Sequence, residues 1–387
     1  MNIFITGTTG FLGGELLIEL SRRPEIDKIY CLIRGLSEEH AMLRVRQVFE
    51  LHNDPFDEKK IIPILGNLSE NTLSHKLRDN KMLNDTDVVI HAAANTSFSK
   101  VFDKIVEEVN ITGLEHLIKW ANELPSLKTF LYVGTASISG KENANRLVQE
   151  DESPNTKVHH VVKYTYTKMM GEIMLTNEIS PEKLLIVRPS IIMGDSRNWI
   201  PRSYVILWAF ATVNILRLIP AKGRSKLDII SVDYAAQAIT ELLFAPNRRH
   251  RVYHISSGEA SATDVERIAN VIAEFFPELP PVKFVDSALL KQMNLWAKKV
   301  LPKGSELYQY DKYLEYWKET FGDINRMRIL LAALAPYLEF AEMGQRFDNS
   351  RLIEDTGMSL PVPAHVYIKN SARYIKNIDV FGGAAES

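Results

Sequence analysis

One stretch near the start of the chain decides the fold: Thr6-Gly7-Thr8-Thr9-Gly10-Phe11-Leu12-Gly13. It follows an apolar segment with strand character at residues 3–5 and opens a segment with apolar residues at helical spacing. Gly7 permits a tight turn, Gly10 lets the backbone approach a pyrophosphate, and Gly13 brings helix and strand close together. The anion then lies at the helix N-terminus, which favours negative charge. The stretch therefore predicts a dinucleotide-binding strand-turn-helix unit, rather than a glycine-rich turn without function.

Short apolar segments alternate with longer amphipathic segments as far as Ile255, which is the pattern of a parallel sheet covered by helices on both faces. We predict an α/β fold: a Rossmann-like doubly wound parallel sheet with a smaller, mostly helical substrate-binding region. The first helix is predicted to bury Leu12, Leu16, Leu17 and Leu20. The predicted strands are residues 3–5, 28–33, 61–65, 87–91, 129–133, 184–187 and 252–255.

A second pattern, Tyr164-Thr165-Tyr166-Thr167-Lys168, places a phenol and an ammonium one helical turn apart on one face. The charge of Lys168 is expected to lower the pKa of Tyr164 from its usual value of about 10. The strand before it delivers Gly134-Thr135-Ala136-Ser137 at the sheet edge where open α/β folds bind ligands. A hydroxyl there can bind a carbonyl oxygen to which Tyr164 donates its proton. The pattern alone arises often by chance, but after the glycine-rich turn it indicates hydride transfer on a nicotinamide cofactor.

The end of the second strand distinguishes NAD from NADP. An NAD site carries an Asp or Glu there, which holds the ribose 2′-hydroxyl. Here Arg34 stands in that place, and Arg44 lies on the helix that follows. Guanidinium groups can grip a 2′-phosphate bidentately, so the sequence favours NADP(H). Ordinary surface arginines are the alternative.

Small residues close the fourth strand in the stretch His91-Ala92-Ala93-Ala94-Asn95, which lets the backbone pass close under the adenosine half of the cofactor. Asn110 begins the next helix. Two interpretations stand side by side for it: a residue of the cofactor site, or a buried and hydrogen-bonded asparagine.

The chain resembles the extended short-chain dehydrogenase/reductases and, among them, the fatty acyl-CoA reductases and thioester reductase domains. The matching segments are residues 6–13, 30–34, 90–94, 109–113, 164–168, 187–190 and 228–233. The resemblance implies a catalytic set of Thr135, Tyr164 and Lys168, with Ser137 as the alternative hydroxyl. It also implies an NADP-binding set consisting of Thr6, Gly7, Thr9, Gly10, Phe11, Leu12, Gly13, Arg34, Arg44, Asn67, Leu68, Ala92, Ala93, Asn110, Tyr164, Lys168, Pro189 and Ser190.

Two positions depart from the family pattern. Asn67 stands where the family commonly has an aspartate near the adenine, and Ser231 stands where the reductases usually have a proline. The alternating pattern also stops from Ile191 to Lys226 and again from Gly258 onward. We therefore predict a nucleotide-binding domain of residues 1–190 with 228–258, and a substrate-binding, C-terminal helical region of residues 191–227 and 259–387.

Aromatic and apolar residues are dense in that second region, above all at residues 204–211 and 305–343. They are interpreted either as the cover of a long acyl chain or as helices that pack on the core. The stretch 204–211 is too short to span a bilayer, although a peripheral membrane contact is compatible with it.

The composition is that of an ordinary globular protein, with 45% hydrophobic and 24% charged residues. A net charge of −2 gives no electrostatic reason to expect nucleic acid. The single cysteine, Cys31, excludes a disulfide framework and a cysteine metal site, and no metal is expected. The apolar start without a basic segment argues against a signal peptide, so a cytoplasmic location is expected. The sequence does not indicate an oligomeric state.

The leading hypothesis for the function is an NADPH-dependent reductase of an acyl thioester, bound to coenzyme A or to a carrier protein. Its product would be an aldehyde and, with a second hydride, an alcohol. One alternative keeps the fold and changes the substrate: a ketone/alcohol oxidoreductase, or a nucleotide-sugar epimerase or dehydratase. Arg34 argues against the sugar enzymes, because these usually prefer NAD. A non-catalytic NADP-binding regulator is the alternative from another class.

Overall fold

A computed structural model describes residues 1–197, 205–322 and 324–386. Its central sheet is parallel, with seven strands in the order β3-β2-β1-β4-β5-β6-β7. All seven predicted strands are confirmed, and the first and sixth are longer than predicted. The strands are β1 (Asn2–Thr6), β2 (Lys28–Ile33), β3 (Ile61–Leu65), β4 (Val88–His91), β5 (Thr129–Val133), β6 (Leu184–Pro189) and β7 (Val252–Ile255).

The strand order reverses between the neighbouring strands β1 and β4. The connection that follows β1 runs over one face of the sheet, and the connection that follows β4 runs over the other face. In a doubly wound sheet, such a reversal opens a crevice at the carboxyl ends of the strands. Most side chains of the strands are buried, because helices cover both faces. This explains why the strands are continuous apolar runs rather than alternating ones.

Helices supply both covering layers and the C-terminal region. The bounds are α1 (Phe11–Ser21), α2 (Glu38–His52), α3 (Leu73–Asp79), α4 (Asp103–Glu107), α5 (Gly113–Ala121), α6 (Lys163–Glu178), α7 (Val205–Leu216), α8 (Val232–Phe244), α9 (Gly258–Ser261), α10 (Val265–Ala273), α11 (Leu289–Ala297), α12 (Asp311–Phe321), α13 (Ile324–Met343), α14 (Ser350–Thr356), α15 (Ala364–Ser371) and α16 (Val380–Glu386). One face of the sheet packs on α1, α2 and α8, and the other packs on α3, α5 and α6.

The first helix is buried on more sides than its apolar spacing predicts. Leu16, Leu17 and Leu20 are buried as expected, whereas Leu12 is half-buried. Ile18 is also buried, and α8, which covers the same face of the sheet, packs against α1.

The C-terminal helices build a core of their own from α7, α11, α12 and α13. Trp317 is fully buried there and its Nε1 donates to the carbonyl of Leu216 at 2.8 Å. Tyr313 is also buried, so both aromatic side chains serve helix packing, one of the two predicted interpretations. Leu207, Trp208 and Ala211 are buried on α7, and Tyr204 lies outside the described residues. No helix in the described ranges is long and apolar enough to cross a membrane.

A late segment of the chain returns to the central sheet. Arg346–Phe347 pairs in parallel with Leu147–Val148, and α14 then packs on α8 and β7. Leu352 of α14 is fully buried in the same core as α1. The predicted division assigned this segment to the substrate-binding region. It contributes to the nucleotide-binding core, and the division of the rest of the chain stays a prediction.

Candidate functional site

The glycine-rich turn lies at the point where the strand order reverses. Gly7 adopts a φ of +83°, and a Cβ on it would come within 2.7 Å of the backbone nitrogen of Ala93. A Cβ on Gly13 would approach the Gly7 carbonyl oxygen to 2.1 Å. The backbone nitrogen of Gly10 donates to that same oxygen at 2.9 Å. The loops after β1 and β4 therefore meet without intervening side chains, as the binding of a dinucleotide backbone requires.

A buried pair of side chains fixes the two loops to each other. Thr6 Oγ1 lies 2.8 Å from His91 Nδ1 and accepts a hydrogen bond from the backbone nitrogen of Ala93 at 3.2 Å. Burial, and secondarily the charge of Lys168, lowers the pKa of His91 to about 3, so the imidazole is neutral. His91 was not among the predicted site residues, although its place at the end of β4 signals proximity to the site.

Arg44 reaches from α2 to the glycine-rich turn. One guanidinium nitrogen donates to Thr9 Oγ1 at 3.1 Å and another donates to the carbonyl of Arg34. Arg34 itself follows β2 and is exposed. The structure thus brings Thr9, Arg34 and Arg44 together at the end of the second strand, where the ribose 2′ position lies in this kind of fold.

Asn67 and Leu68 contact neighbouring groups of the protein itself. The Asn67 side chain accepts a hydrogen bond from the backbone nitrogen of Ser69 at 3.3 Å, which closes a local turn. Leu68 is buried, and a Cβ on Gly113 would lie 2.8 Å from its Cβ. Leu68 therefore positions the start of α5 through packing.

Asn110 lies in a π-helical segment, Glu108–Thr112, between α4 and α5. Its Oδ1 accepts from the backbone nitrogen of Asn95 at 2.8 Å, while Nδ2 donates to the Asn95 carbonyl at 3.0 Å and to Thr167 Oγ1 at 2.9 Å. Asn110 is thus a buried, hydrogen-bonded asparagine, and its hydrogen bonds join the loop after β4 to α6. A direct contact between Asn110 and a cofactor stays a prediction.

The predicted catalytic residues come from two neighbouring elements. Tyr164 and Lys168 lie on α6, which packs against the 3-10 turn Ala136–Ser139 after β5. Thr135 caps that turn, because its Oγ1 accepts from the backbone nitrogen of Ser137 at 3.3 Å. The same hydroxyl donates to the carbonyl of Pro189 at 3.4 Å. The backbone nitrogen of the next residue, Ser190, donates to the carbonyl of Ile255 at 2.9 Å, which holds the end of β6 beside β7.

The expectation that Lys168 lowers the pKa of Tyr164 is wrong in this structure. Burial raises the pKa of Tyr164 to about 12. Burial also lowers the pKa of Lys168 to about 7, an effect that the Glu172 carboxylate opposes. Desolvation disfavours the charged form of each group, so it shifts the pKa of the phenol upward and that of the ammonium downward. Lys168 therefore titrates near neutral pH.

A buried ion pair lies one helical turn beyond Lys168. Arg188 Nε donates to Glu172 Oε2 at 3.0 Å, and a second guanidinium nitrogen contacts the other carboxylate oxygen. Arg188 also donates to the carbonyl of Glu152 at 3.1 Å. The sequence signals for this pair were the four-residue spacing from Lys168 and the matched segment 187–190.

Among the residues that the structure describes, no three or more His, Cys, Asp or Glu side chains are grouped so as to hold a metal ion.

The strand order, the glycine-rich turn at the reversal point and the Tyr164–Lys168 pair define an extended short-chain dehydrogenase/reductase, a class that binds a nicotinamide cofactor. The sequence model of the male sterility protein family, which describes an NAD-binding domain, matches residues 5–239. The chain belongs to this family.

Several known proteins are similar to the chain. A putative fatty acyl-CoA reductase of Drosophila melanogaster is 26% identical over 341 residues, which are 76% of this chain and 62% of that protein. Fatty acyl-CoA reductase 2 of Homo sapiens is 26% identical and covers 72% of this chain. The chain spans 62% of the length of each of these relatives. The terminal R domain of the myxalamid PKS-NRPS biosynthetic pathway shares the fold, with a TM-score of 0.72, 20% identity and coverage of 97% of this chain and 90% of that chain.

Proposed function

We propose that the protein is an NADPH-dependent reductase of an acyl thioester, with an aldehyde or an alcohol as its product. The observation that carries the proposal is the placement of Tyr164, Lys168 and Thr135 at the sheet edge that also holds the glycine-rich turn. The fatty acyl-CoA reductases among its relatives support the substrate class.

A bound nicotinamide cofactor supplies the hydride for reduction of a thioester to an aldehyde and of an aldehyde to an alcohol. In the first reduction the carbon–sulfur bond of the thioester would break, and the leaving sulfur would take up a proton and depart as the thiol. The protein contributes groups that stabilise negative charge on the substrate oxygen. The hydroxyls of Thr135 and Tyr164 would donate hydrogen bonds to that oxygen, and Tyr164 would also donate its proton. The ammonium of Lys168 would stabilise the tyrosinate that remains. Direct hydride transfer needs no cysteine nucleophile, which agrees with the burial of the single cysteine, Cys31, inside β2.

The preference for NADPH over NADH rests on charge at the end of β2. Arg34 directly follows the strand, Arg44 lies beside the glycine-rich turn, and no carboxylate occupies the position that would hold a ribose 2′-hydroxyl. A 2′-phosphate would gain charge-assisted hydrogen bonds there.

The acyl chain would lie along a row of aromatic side chains that begins near the site. Phe98 follows Asn95 by three residues and packs on two residues of α13, Tyr337 and Phe340, with ring centroids 4.9 and 5.3 Å away. Tyr337 in turn contacts Trp208 of α7 at 5.7 Å. The row runs from the loop after β4 into the C-terminal helices, and such surfaces bind apolar chains through burial.

The test is NADPH oxidation with acyl-CoAs of increasing chain length and with the same acyl groups on a phosphopantetheinyl carrier protein. Tyr164→Phe is expected to lower turnover by about 100-fold or more, because the proton donor is lost. Tyr166→Phe is the matched control: Tyr166 lies on the same helix, but its side chain is exposed. Aldehyde and alcohol are identified among the products. Turnover of a ketone and of no thioester, or equal rates in the two variants, would contradict the proposal.

A further inference from the structure

The ring of Tyr132 lies directly against the Lys168 side chain. Lys168 Nζ is 4.3 Å from the ring centroid, and the two residues are 2% and 1% exposed. Tyr132 belongs to β5, the strand that also delivers Thr135. We propose that Tyr132 is a positioning residue, which holds the Lys168 ammonium by a cation–π contact at a fixed distance from the strand that carries Thr135. This inference rests on the proposed function.

Three other titratable side chains surround Lys168, and none of them is free to hold its ammonium as the Tyr132 ring does. Glu172, on the same helix, attracts the ammonium, but both of its carboxylate oxygens contact Arg188. Tyr164, one turn before Lys168, is uncharged near neutral pH, because burial raises its pKa to about 12. His91 of β4 is uncharged as well, with its pKa lowered to about 3. An aromatic face attracts a cation most strongly where water is excluded, as it is here.

Tyr132 is itself held in place by two contacts and by the space that Gly171 leaves for its hydroxyl. Its ring stacks on that of His91, with centroids 5.9 Å apart and planes inclined by 22°. Its hydroxyl donates to the backbone carbonyl of Lys168 at 3.3 Å. Gly171 leaves room for that hydroxyl, since a Cβ there would lie 2.6 Å from Tyr132 Oη. Because both its face and its hydroxyl are engaged, the ring is fixed in the orientation that meets the Lys168 ammonium.

The test distinguishes the contribution of the Tyr132 ring from that of its hydroxyl. Tyr132→Phe keeps the ring, whereas Tyr132→Leu and Tyr132→Met remove it. Met is unbranched and adapts its shape to an irregular space, so it replaces Leu if that variant does not fold. Circular dichroism and thermal unfolding establish that each variant is folded. The ionisation of Lys168 is then followed by NMR of ¹³Cε-labelled lysine, with the Lys168→Arg protein used only to assign the signal.

Loss of the ring is expected to move the Lys168 titration to lower pH by about one unit. Turnover at neutral pH is expected to fall about fivefold, because the protonated fraction of Lys168 falls from about one half to about one tenth. The Phe variant is expected to titrate like the unchanged protein. Equal titration of Lys168 with and without the ring would overturn the proposal, as would equal impairment of the Phe and Met variants. The NMR readout needs no substrate. A shifted titration in a protein that reduces no thioester would therefore uphold the positioning of Lys168 while refuting the proposed function.

Discussion

The guanidinium of Arg188 lies against the carboxylate of Glu172, with Nε 3.0 Å from Oε2, and both side chains are almost completely buried. The pair joins α6 to β6 one turn beyond Lys168. Removing one partner of a buried ion pair leaves the other charge uncompensated, which is far more costly than the loss of a surface pair.

Glu172→Gln is therefore expected to lower the free energy of unfolding by about 3–5 kcal/mol, because Arg188 would remain charged and buried. Urea unfolding measures the change. Glu123→Gln is the matched control, since it breaks the exposed pair of Glu123 with Arg78 and is expected to cost about 1 kcal/mol or less. Similar costs for the two variants would contradict the burial argument.

Gly7→Ala is expected to abolish NADPH binding and to destabilise the fold. An alanine there would need a φ of +83° and would place its Cβ 2.7 Å from the backbone of Ala93. Gly304 also has a positive φ, of +85°, but a Cβ on it would meet no atom within 4 Å. Gly304→Ala thus isolates the cost of the conformation, roughly 1–2 kcal/mol. Cofactor fluorescence and urea unfolding give both readouts, and equal behaviour of the two variants would show that the close approach of the loops is unimportant.

Arg44→Ala is expected to weaken NADPH binding by roughly tenfold or more while leaving NADH binding nearly unchanged. The reason is that a charge-assisted hydrogen bond contributes about 1.5–3 kcal/mol, and only NADPH carries the 2′-phosphate. Titration of both cofactors measures the ratio of their dissociation constants. The control is Arg46→Ala on the same helix, because Arg46 pairs with Glu58. An equal loss for NADPH and NADH in Arg44→Ala would mean that the arginine supports the turn rather than the phosphate.

Glu150 makes stability depend on pH. Burial raises the pKa of its carboxyl from 4.5 to about 7. The folded protein therefore binds more protons than the unfolded chain between these values, so the Glu150 contribution to stability falls as pH rises from about 4.5 to 7. At 1.36 kcal/mol for each pH unit, the fall is on the order of 3 kcal/mol.

Glu150→Gln removes this titration. Relative to the unchanged protein, the variant is expected to gain stability steadily between pH 4.5 and 7 and to show no further relative change above pH 8. Urea unfolding at four pH values measures the difference. A stability difference that is independent of pH would contradict the raised pKa.

The strands and the glycine-rich turn were predictable because each depends on local sequence. Continuous apolar runs such as Thr129–Val133 signal buried parallel strands, and Gly7, Gly10 and Gly13 each have a backbone function. The electrostatics of the Tyr164–Lys168 pair were not predictable. Whether Lys168 lowers the pKa of Tyr164 depends on how much water reaches both groups, and burial is a property of the whole fold.

Tyr132 was missed for a related reason. A tyrosine within an apolar strand is most often a core residue, and nothing in its neighbours along the chain indicates a lysine above its ring. The return of α14 to the sheet was missed as well, since the pairing of Arg346–Phe347 with Leu147–Val148 joins segments that are far apart in sequence.

The return of α14 to the sheet determines when the nucleotide-binding core can be completed during synthesis. The nucleotide-binding core needs Leu352, and the buried carboxylates of Asp228 and Glu150 accept hydrogen bonds from the backbone nitrogens of Phe347 and Arg351. A nascent chain that has emerged only as far as β7 therefore carries two buried acids without these partners and an uncovered edge strand. The core around the sheet can therefore be completed only after residues up to Leu352 have emerged, late in the synthesis of the described chain.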